Sequence, residues 1–343
     1  MRNQLTVLLL GEVGKELRGD VFQAQKVKSA PNYFEISIPH PVIIGESKAD
    51  VLGTSITFSI KGYPPEVLLV ESTVEVKDVF DHDSISKLEA AILEQSYKIL
   101  DEHGGKRDYS ETYSVFSVSQ YTGEPEQFLK HSPAMASLLK SEQLELDPKE
   151  IEHTMGAQIK YAKNDLAIID WDGAFLFDPE GDVLPTIELL TLANLQLLRH
   201  RILDRQLDDR LKHVSKFIRR PEANKKFFKV FDNAELSEDL RQIIKLIMST
   251  ISEVQLLERD IKLIGDWYSA RLYDLTTRKF KINEWRTTIK EKLDLLQDVY
   301  GIVKENFSMS EKDRAEWVQI IAWFFLQVGW FVLIIMEFLY FSK

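Results

Sequence analysis

At 343 residues, with no cysteine and a net charge of −11, the chain has room for two soluble domains and one further segment. The missing cysteines exclude disulfides, thiolate zinc sites and cysteine nucleophiles. The acidic balance argues against nucleic acid as a bulk partner, because binding a phosphate backbone is driven by Lys and Arg contacts that release counterions.

Residues 1 to about 80 read as antiparallel strands. Leu5, Val7 and Leu9 alternate with Thr6, Leu8 and Leu10; Phe34, Ile36 and Ile38 with Glu35 and Ser37; Ile56, Phe58 and Ile60 with Thr57 and Ser59. Lys61-Gly-Tyr-Pro-Pro-Glu66 then turns the chain back into Val67-Leu-Leu-Val70 and Val74-Glu-Val76, the pattern of a hairpin. A sheet buried on one face accounts for the alternation.

Ser86 and Glu89 have capping-box spacing and Leu88, Ile92, Tyr97 and Leu100 follow, which predicts a helix from about 84 to 102, stopped at Gly104-Gly105. A strand is expected at 113 to 119 and a polar helical stretch to about 143. The apolar runs Leu166-Ala-Ile-Ile169 and Ala174-Phe-Leu-Phe177 flank Asp-Trp-Asp-Gly. Asp172-Gly173 suits a primed two-residue turn, so residues 165 to 178 are predicted as the last hairpin of an α+β domain with a mixed or antiparallel sheet, ending near 183.

From Pro185 the period changes. Ile187, Leu190, Leu195, Leu198, Ile202, Leu207, Leu211, Val214 and Ile218 hold a helical stripe until Pro221. A second helix, about 236 to 277, sets Ile243, Ile247, Thr250, Val254, Leu257, Ile261, Ile264 and Tyr268 at alternating steps of four and three, a heptad seam that Arg271 interrupts before Leu272 and Leu275. A third, about 282 to 306, carries Ile282, Trp285, Ile289, Leu293, Leu296, Tyr300 and Val303 and leads through Phe307-Ser-Met-Ser310. Residues 184 to 316 thus read as a long antiparallel helical stalk, coiled-coil-like, with the seam Ile243, Ile247, Val254, Leu257, Ile261 and Ile264 joining helices within one chain or between copies.

The last stretch, WVQIIAWFFLQVGWFVLIIMEFLYF from 317 to 341, holds one formal charge, Glu337. A helix of this length spans about 37 Å, enough to cross a hydrocarbon core of roughly 30 Å with some tilt. Trp317 and Tyr340 stand where interfacial aromatics belong, Glu337 is about one turn from the end and able to snorkel, and Gln319, Gln327 and Gly329 suit contacts between neighbouring spans. The first 16 residues alternate like a strand rather than reading as a secretory signal. The expectation is therefore a single C-terminal span with residues 1 to 316 in the cytoplasm, or in the mitochondrial matrix of an organellar protein.

Each chemical motif has a plainer reading. Ile169-Asp-Trp-Asp-Gly173 resembles the first motif of the haloacid-dehalogenase phosphotransferases, which implies Asp170 as nucleophile, Asp172 as acid/base and a magnesium ion; the βα units that fold needs are not found after it, and a hairpin turn explains it. Gly11-Glu-Val-Gly-Lys15 has Leu9 where a phosphate loop needs glycine. Asp78, Asp81, His82 and Asp83 could hold a hard cation, but Asp83 as a helix cap is simpler. Between Arg199 and Lys229 lie eleven Lys and Arg against four Asp and Glu, with Lys216, Arg219, Arg220, Lys225 and Lys226 among them. That patch could face anionic headgroups, an acidic protein surface or RNA; a solvated face is the plainer account. No catalytic set, metal or cofactor follows from these residues.

With the helices and span placed, residues 160 to 341 resemble the "required for meiotic nuclear division" domain family, through the leucine-rich Leu189-Leu-Thr-Leu-Ala-Asn-Leu-Gln-Leu-Leu198, the long helix pair and Arg314-Ala-Glu-Trp317 at the entrance to the last helix. The family glutamate midway into the span is displaced here to Glu337. The resemblance implies a non-enzymatic, oligomeric, membrane-tethered protein, with mitochondrial relatives that support translation at the inner membrane. The layout is also similar in shape to CorA-type magnesium channels, without their second span and Gly-Met-Asn loop. Expected, then, is a homo-oligomeric scaffold in the bilayer whose N-terminal domain is offered to a protein partner. The alternatives are an ion conduit lined by Gln319, Gln327 or Glu337, and a phosphohydrolase using Asp170 and Asp172.

Overall fold

The computed structural model describes residues 1–14, 17, 20–21, 41–219, 245, 248 and 267–341. The chain divides into two compact units, Met1–Gln206 with Thr250–Ile289, and Leu207–Ser249 with Lys290–Lys343. Nine strands among the described residues make up one sheet of the first unit: β1 Arg2–Val13, β2 Asp20–Val21, β3 Val42–Val51, β4 Thr54–Tyr63, β5 Val67–Val76, β6 Gly105–Ser119, β7 Gln158–Ile159, β8 Leu166–Ile169 and β9 Gly173–Phe177. Their order is β2-β3-β4-β5-β1-β6-β9-β8-β7, and β6 and β9 run parallel while the other neighbours are antiparallel. The sheet is mixed, as expected for the α+β class.

The expected wet face is absent from the middle of that sheet. Leu5, Val7 and Leu9 are buried in one apolar cluster, while Leu8 and Leu10, on the other side of the same strand, are buried in a second. Every residue of β8 and β9 is buried. Two helical layers explain the correction: α1 (His82–Glu102) and α2 (Ser132–Leu139) cover the first face, and the early turns of α4 (Leu184–Arg219) with α5 (Trp267–Lys279) cover the second. In sequence between them a 3₁₀ segment of about two turns, Pro125–His131, leads into α2, and α3 spans Pro148–Met155. By contrast β3, absent from the sequence expectation, alternates between exposed and half-buried positions.

Local chemistry sets the helix starts. Asp81, not Asp83 and not the Ser86/Glu89 box, caps α1: its carboxylate accepts from the Ser84 backbone N–H at 3.3 Å and the Ser84 hydroxyl at 2.6 Å. The helix therefore begins two residues earlier than expected, and Glu89 is free to turn inward. Asp78 accepts from the Phe80 N–H at 2.9 Å, and the His82 ring meets Asp83 and the Glu142 carbonyl, so all four residues of the supposed cation cluster serve this junction. Asp147 caps α3 through the Lys149 N–H at 2.9 Å.

The first turns of the expected stalk lie on the sheet. Ile187, Leu190, Ala193, Leu197 and Leu198 share a buried cluster with Leu8, Leu10, Val115 and Leu176. The basic stretch begins there as well. Arg199 donates to the Pro64 carbonyl at 2.9 Å, Arg201 pairs with Glu111, and the Arg205 guanidinium lies 4.8 Å from the Tyr109 ring centre. These three arginines are thereby fixed against the domain. Lys216 and Arg219 fall on α4, but their side chains, like Arg220, Lys225 and Lys226, lie outside the described residues, as do Ile243, Ile247, Val254, Leu257, Ile261 and Ile264.

After α5 the chain turns at Lys281, whose φ of 51° is in the left-handed region, and Phe280 and Ile282 on either side are fully buried. There α6 (Ile282–Phe341) begins, and it runs for 60 residues with no break at 307–310. Phe-Ser-Met-Ser contains neither proline nor glycine, so nothing in it stops a helix. In the second unit, Lys292 pairs with Asp208 at 2.6 Å and Leu296 is buried. Further along, Val318–Met336 has a mean hydropathy of 2.2 and none of it is buried.

Candidate functional site

The loop Asp170-Trp171-Asp172-Gly173 joins β8 to β9, the hairpin expected there, but its turn is not of the primed kind. Positive φ is needed in such turns, and none of Trp171, Asp172 and Gly173 has it. The glycine is required for another reason: a Cβ at Gly173 would sit 2.8 Å from the Ser114 carbonyl oxygen of the parallel neighbour β6. Positive φ at adjacent residues instead marks the β3–β4 hairpin, where Leu52 and Gly53 have φ of 52° and 80° and Asp50 accepts from the Gly53 N–H.

Backbone contacts hold the loop. The Asp170 N–H donates to the Gly173 carbonyl at 2.9 Å, the Ser114 N–H to the Asp172 carbonyl at 3.1 Å, and the Tyr113 hydroxyl to the Asp170 carbonyl at 3.2 Å. The Asp170 side chain, 6% exposed, lies between two ammonium groups: Lys279 at the end of α5 reaches Oδ1 at 3.0 Å, and Lys140, just past α2, stands 3.4 Å from Oδ2. Lys140 also binds Glu150 of α3 at 2.8 Å. One charge chain therefore ties α5, the hairpin loop, the end of α2 and α3 together. Spacing gave no warning of it, since Asp170 and Lys279 are 109 residues apart.

The electrostatics follow from burial and from neighbours of known sign. Burial works against the charge on Lys140, but its hydrogen bond to Glu150 and the field of Asp170 outweigh it and its pKa is raised. Asp172 is pushed up from the usual carboxylate range by burial and then by the adjacent negative Asp170. Glu89 is also raised, mainly by burial, although the Ser114 hydroxyl donates to it at 2.5 Å. Tyr113 is raised well above its ordinary value by burial and by both aspartates.

A pocket of about 510 Å³ opens beside this chain, lined by Lys149, Glu152, His153, Gly156, Ala157 and Lys279. As a nucleophile Asp170 would have to meet a substrate through an oxygen that is now buried against lysine. Its pairing instead makes the loop a clamp on the corner from which α6 departs. The span residues Gln319, Gln327 and Gly329 lie exposed on α6, while Trp317, Glu337 and Tyr340 are on the same helix with side chains outside the described residues.

Residues 2–183, which include all nine strands and stop just before α4, match the family described as "Uncharacterized protein MJ0711, N-terminal domain". A curated relative, the uncharacterized protein MJ0711 of Methanocaldococcus jannaschii, is 27% identical over 236 residues, covering 68% of this chain and 70% of the relative. No solved structure matches. The resemblance to the "required for meiotic nuclear division" family rests on residues 160 to 341, most of them beyond the matched region. By a match over more than half of its length, the chain belongs to the MJ0711 N-terminal domain family.

Proposed function

We propose that this chain is a membrane-tethered, non-enzymatic scaffold, which presents its α+β domain at the membrane surface and assembles with further copies of itself. One observation carries the reading: a single helix, α6, starts among buried core residues and continues without a break into an exposed, predominantly apolar stretch of 19 residues. At about 1.5 Å per residue that stretch is about 28 Å long, close to the thickness of a hydrocarbon core. Each large apolar side chain left in water forgoes roughly 1.5–3 kcal/mol of burial. A bilayer supplies that burial for all of them at once.

The ion pairs on Asp170 favour a structural part for the Asp-Trp-Asp-Gly loop over a phosphohydrolase. The domain, in the cytoplasm on this reading, is the surface offered to a protein partner. Alkaline carbonate washing of membranes from cells expressing the full-length chain tests the tether. Retention in the pellet is expected; release into the supernatant would contradict it.

A further inference from the structure

We propose that two copies of this chain pair through one face of the apolar segment of α6, with Gln327 of each copy hydrogen-bonded to Gln327 of the other across a two-fold axis. The inference rests on the membrane reading above and names what covers part of the segment. Gln327 is the central residue of Val318–Met336, so a spanning helix carries it to the middle of the hydrocarbon. A primary amide has two N–H donors and an acceptor oxygen. Lipid chains offer neither partner, and an unsatisfied amide there is costly.

The helix itself does not satisfy the group. Its neighbours at three and four residues are Trp323, Phe324, Trp330 and Phe331, none of which has a side-chain acceptor oxygen. Among the described residues the Gln327 side chain has no hydrogen-bond partner. An amide is self-complementary, so the same residue of a second copy satisfies donor and acceptor together in an isologous contact.

The surrounding spacing fits that contact. Ile320, Trp323, Gln327, Trp330 and Ile334 follow steps of three and four and fall within about 80° of arc on the helix, at about 100° per residue. They place β-branched isoleucine at the first heptad position above and below, with the single polar residue at the same position between. In two-stranded coils a lone polar residue at that position fixes register and partner number.

The test exploits the absence of cysteine from the chain, so that a single introduced thiol reports alone. Full-length variants Ile320→Cys, Ile334→Cys, Phe325→Cys and Val332→Cys are oxidised in membranes and the cross-linked dimer is measured. Dimer is expected at 320 and 334 and far less at 325 and 332, which lie on the opposite side of the helix. Adding Gln327→Leu should lower the yield at 320 and 334 by about fivefold to tenfold, and Gln327→Asn should restore part of it. Even yields at all four positions, a maximum at 325 and 332, or no response to Gln327→Leu would overturn the pairing while leaving the tether intact. Release of the full-length chain by alkaline carbonate would overturn the tether and the pairing together.

Discussion

The two ends of α6 have the same backbone and opposite environments. At its start Ile282 and Ile289 are 0% and 1% exposed, packed beneath protein; in its last third Trp323 and Leu326 are 63% and 71% exposed, and equally apolar. The pair shows how burial follows from what each face meets rather than from composition. Apolar residues at helical spacing are packed into the core at one end, and at the other no part of the described chain covers them. The sheet teaches the same lesson: β1 is apolar on both sides because helices cover both, whereas β3 is half wet.

The largest effect should come from the exposed end. Leu326→Arg with Leu333→Arg adds roughly 2.5–3.5 kcal/mol per residue to the insertion of a span. The doubly substituted protein should move from the membrane pellet to the soluble fraction, while near-ultraviolet circular dichroism of its domain stays unchanged. At the packed end, Ile282→Ala should lower the stability of the domain by about 3–4 kcal/mol, read from the urea midpoint, because it empties a fully buried site. Membrane retention should not change. If both substitutions affected the same property, the contrast between the ends would be wrong.

Asp170→Asn sharpens the packed end further. It leaves Lys279 and Lys140 facing an uncharged amide at side-chain exposures of 18% and 26%, so a loss of the order of 2 kcal/mol is expected, below that of a fully buried pair. A loss of phosphate release from a model ester, with the urea midpoint unmoved, would instead restore Asp170 as a nucleophile.

The smallest effect concerns pH. Glu89 has its folded pKa raised from 4.5, so the folded state holds this proton more tightly than the unfolded chain does. Its contribution is therefore most favourable below the unfolded value and is lost as pH rises through the folded one. The urea midpoint should fall over that window more steeply in the native sequence than in Glu89→Gln, whose amide still accepts from Ser114.

Much of this was legible in the residues. The strand through Leu5 to Leu10, the hairpin turn at 61 to 66, the helix ending just before Gly104 and the apolar segment from Val318 follow from period and turn chemistry, although the alternation hid that Leu8 and Leu10 are buried as well. What failed did so for physical reasons. Half-wet β3 has a register shift between Ile43 and Gly45 that breaks its alternation. A capping-box spacing at Ser86 and Glu89 mimics a helix start, but Asp81 acts first. The Asp170–Lys279 clamp joins elements distant in sequence, and no local pattern encodes which lysine a buried aspartate meets. Gly173 signalled a turn by composition, yet its role is close approach to β6.

The tether is tested most directly by comparing two thiols on α6 in the full-length, otherwise cysteine-free chain: Leu295→Cys, at a position 50% exposed, and Leu326→Cys, at one 71% exposed. In sealed vesicles opened to both faces by freeze–thaw, a membrane-impermeant maleimide should label Leu295→Cys rapidly and Leu326→Cys only after detergent is added. Equal labelling before detergent, or faster labelling at 326, would place that segment in water and contradict the tether.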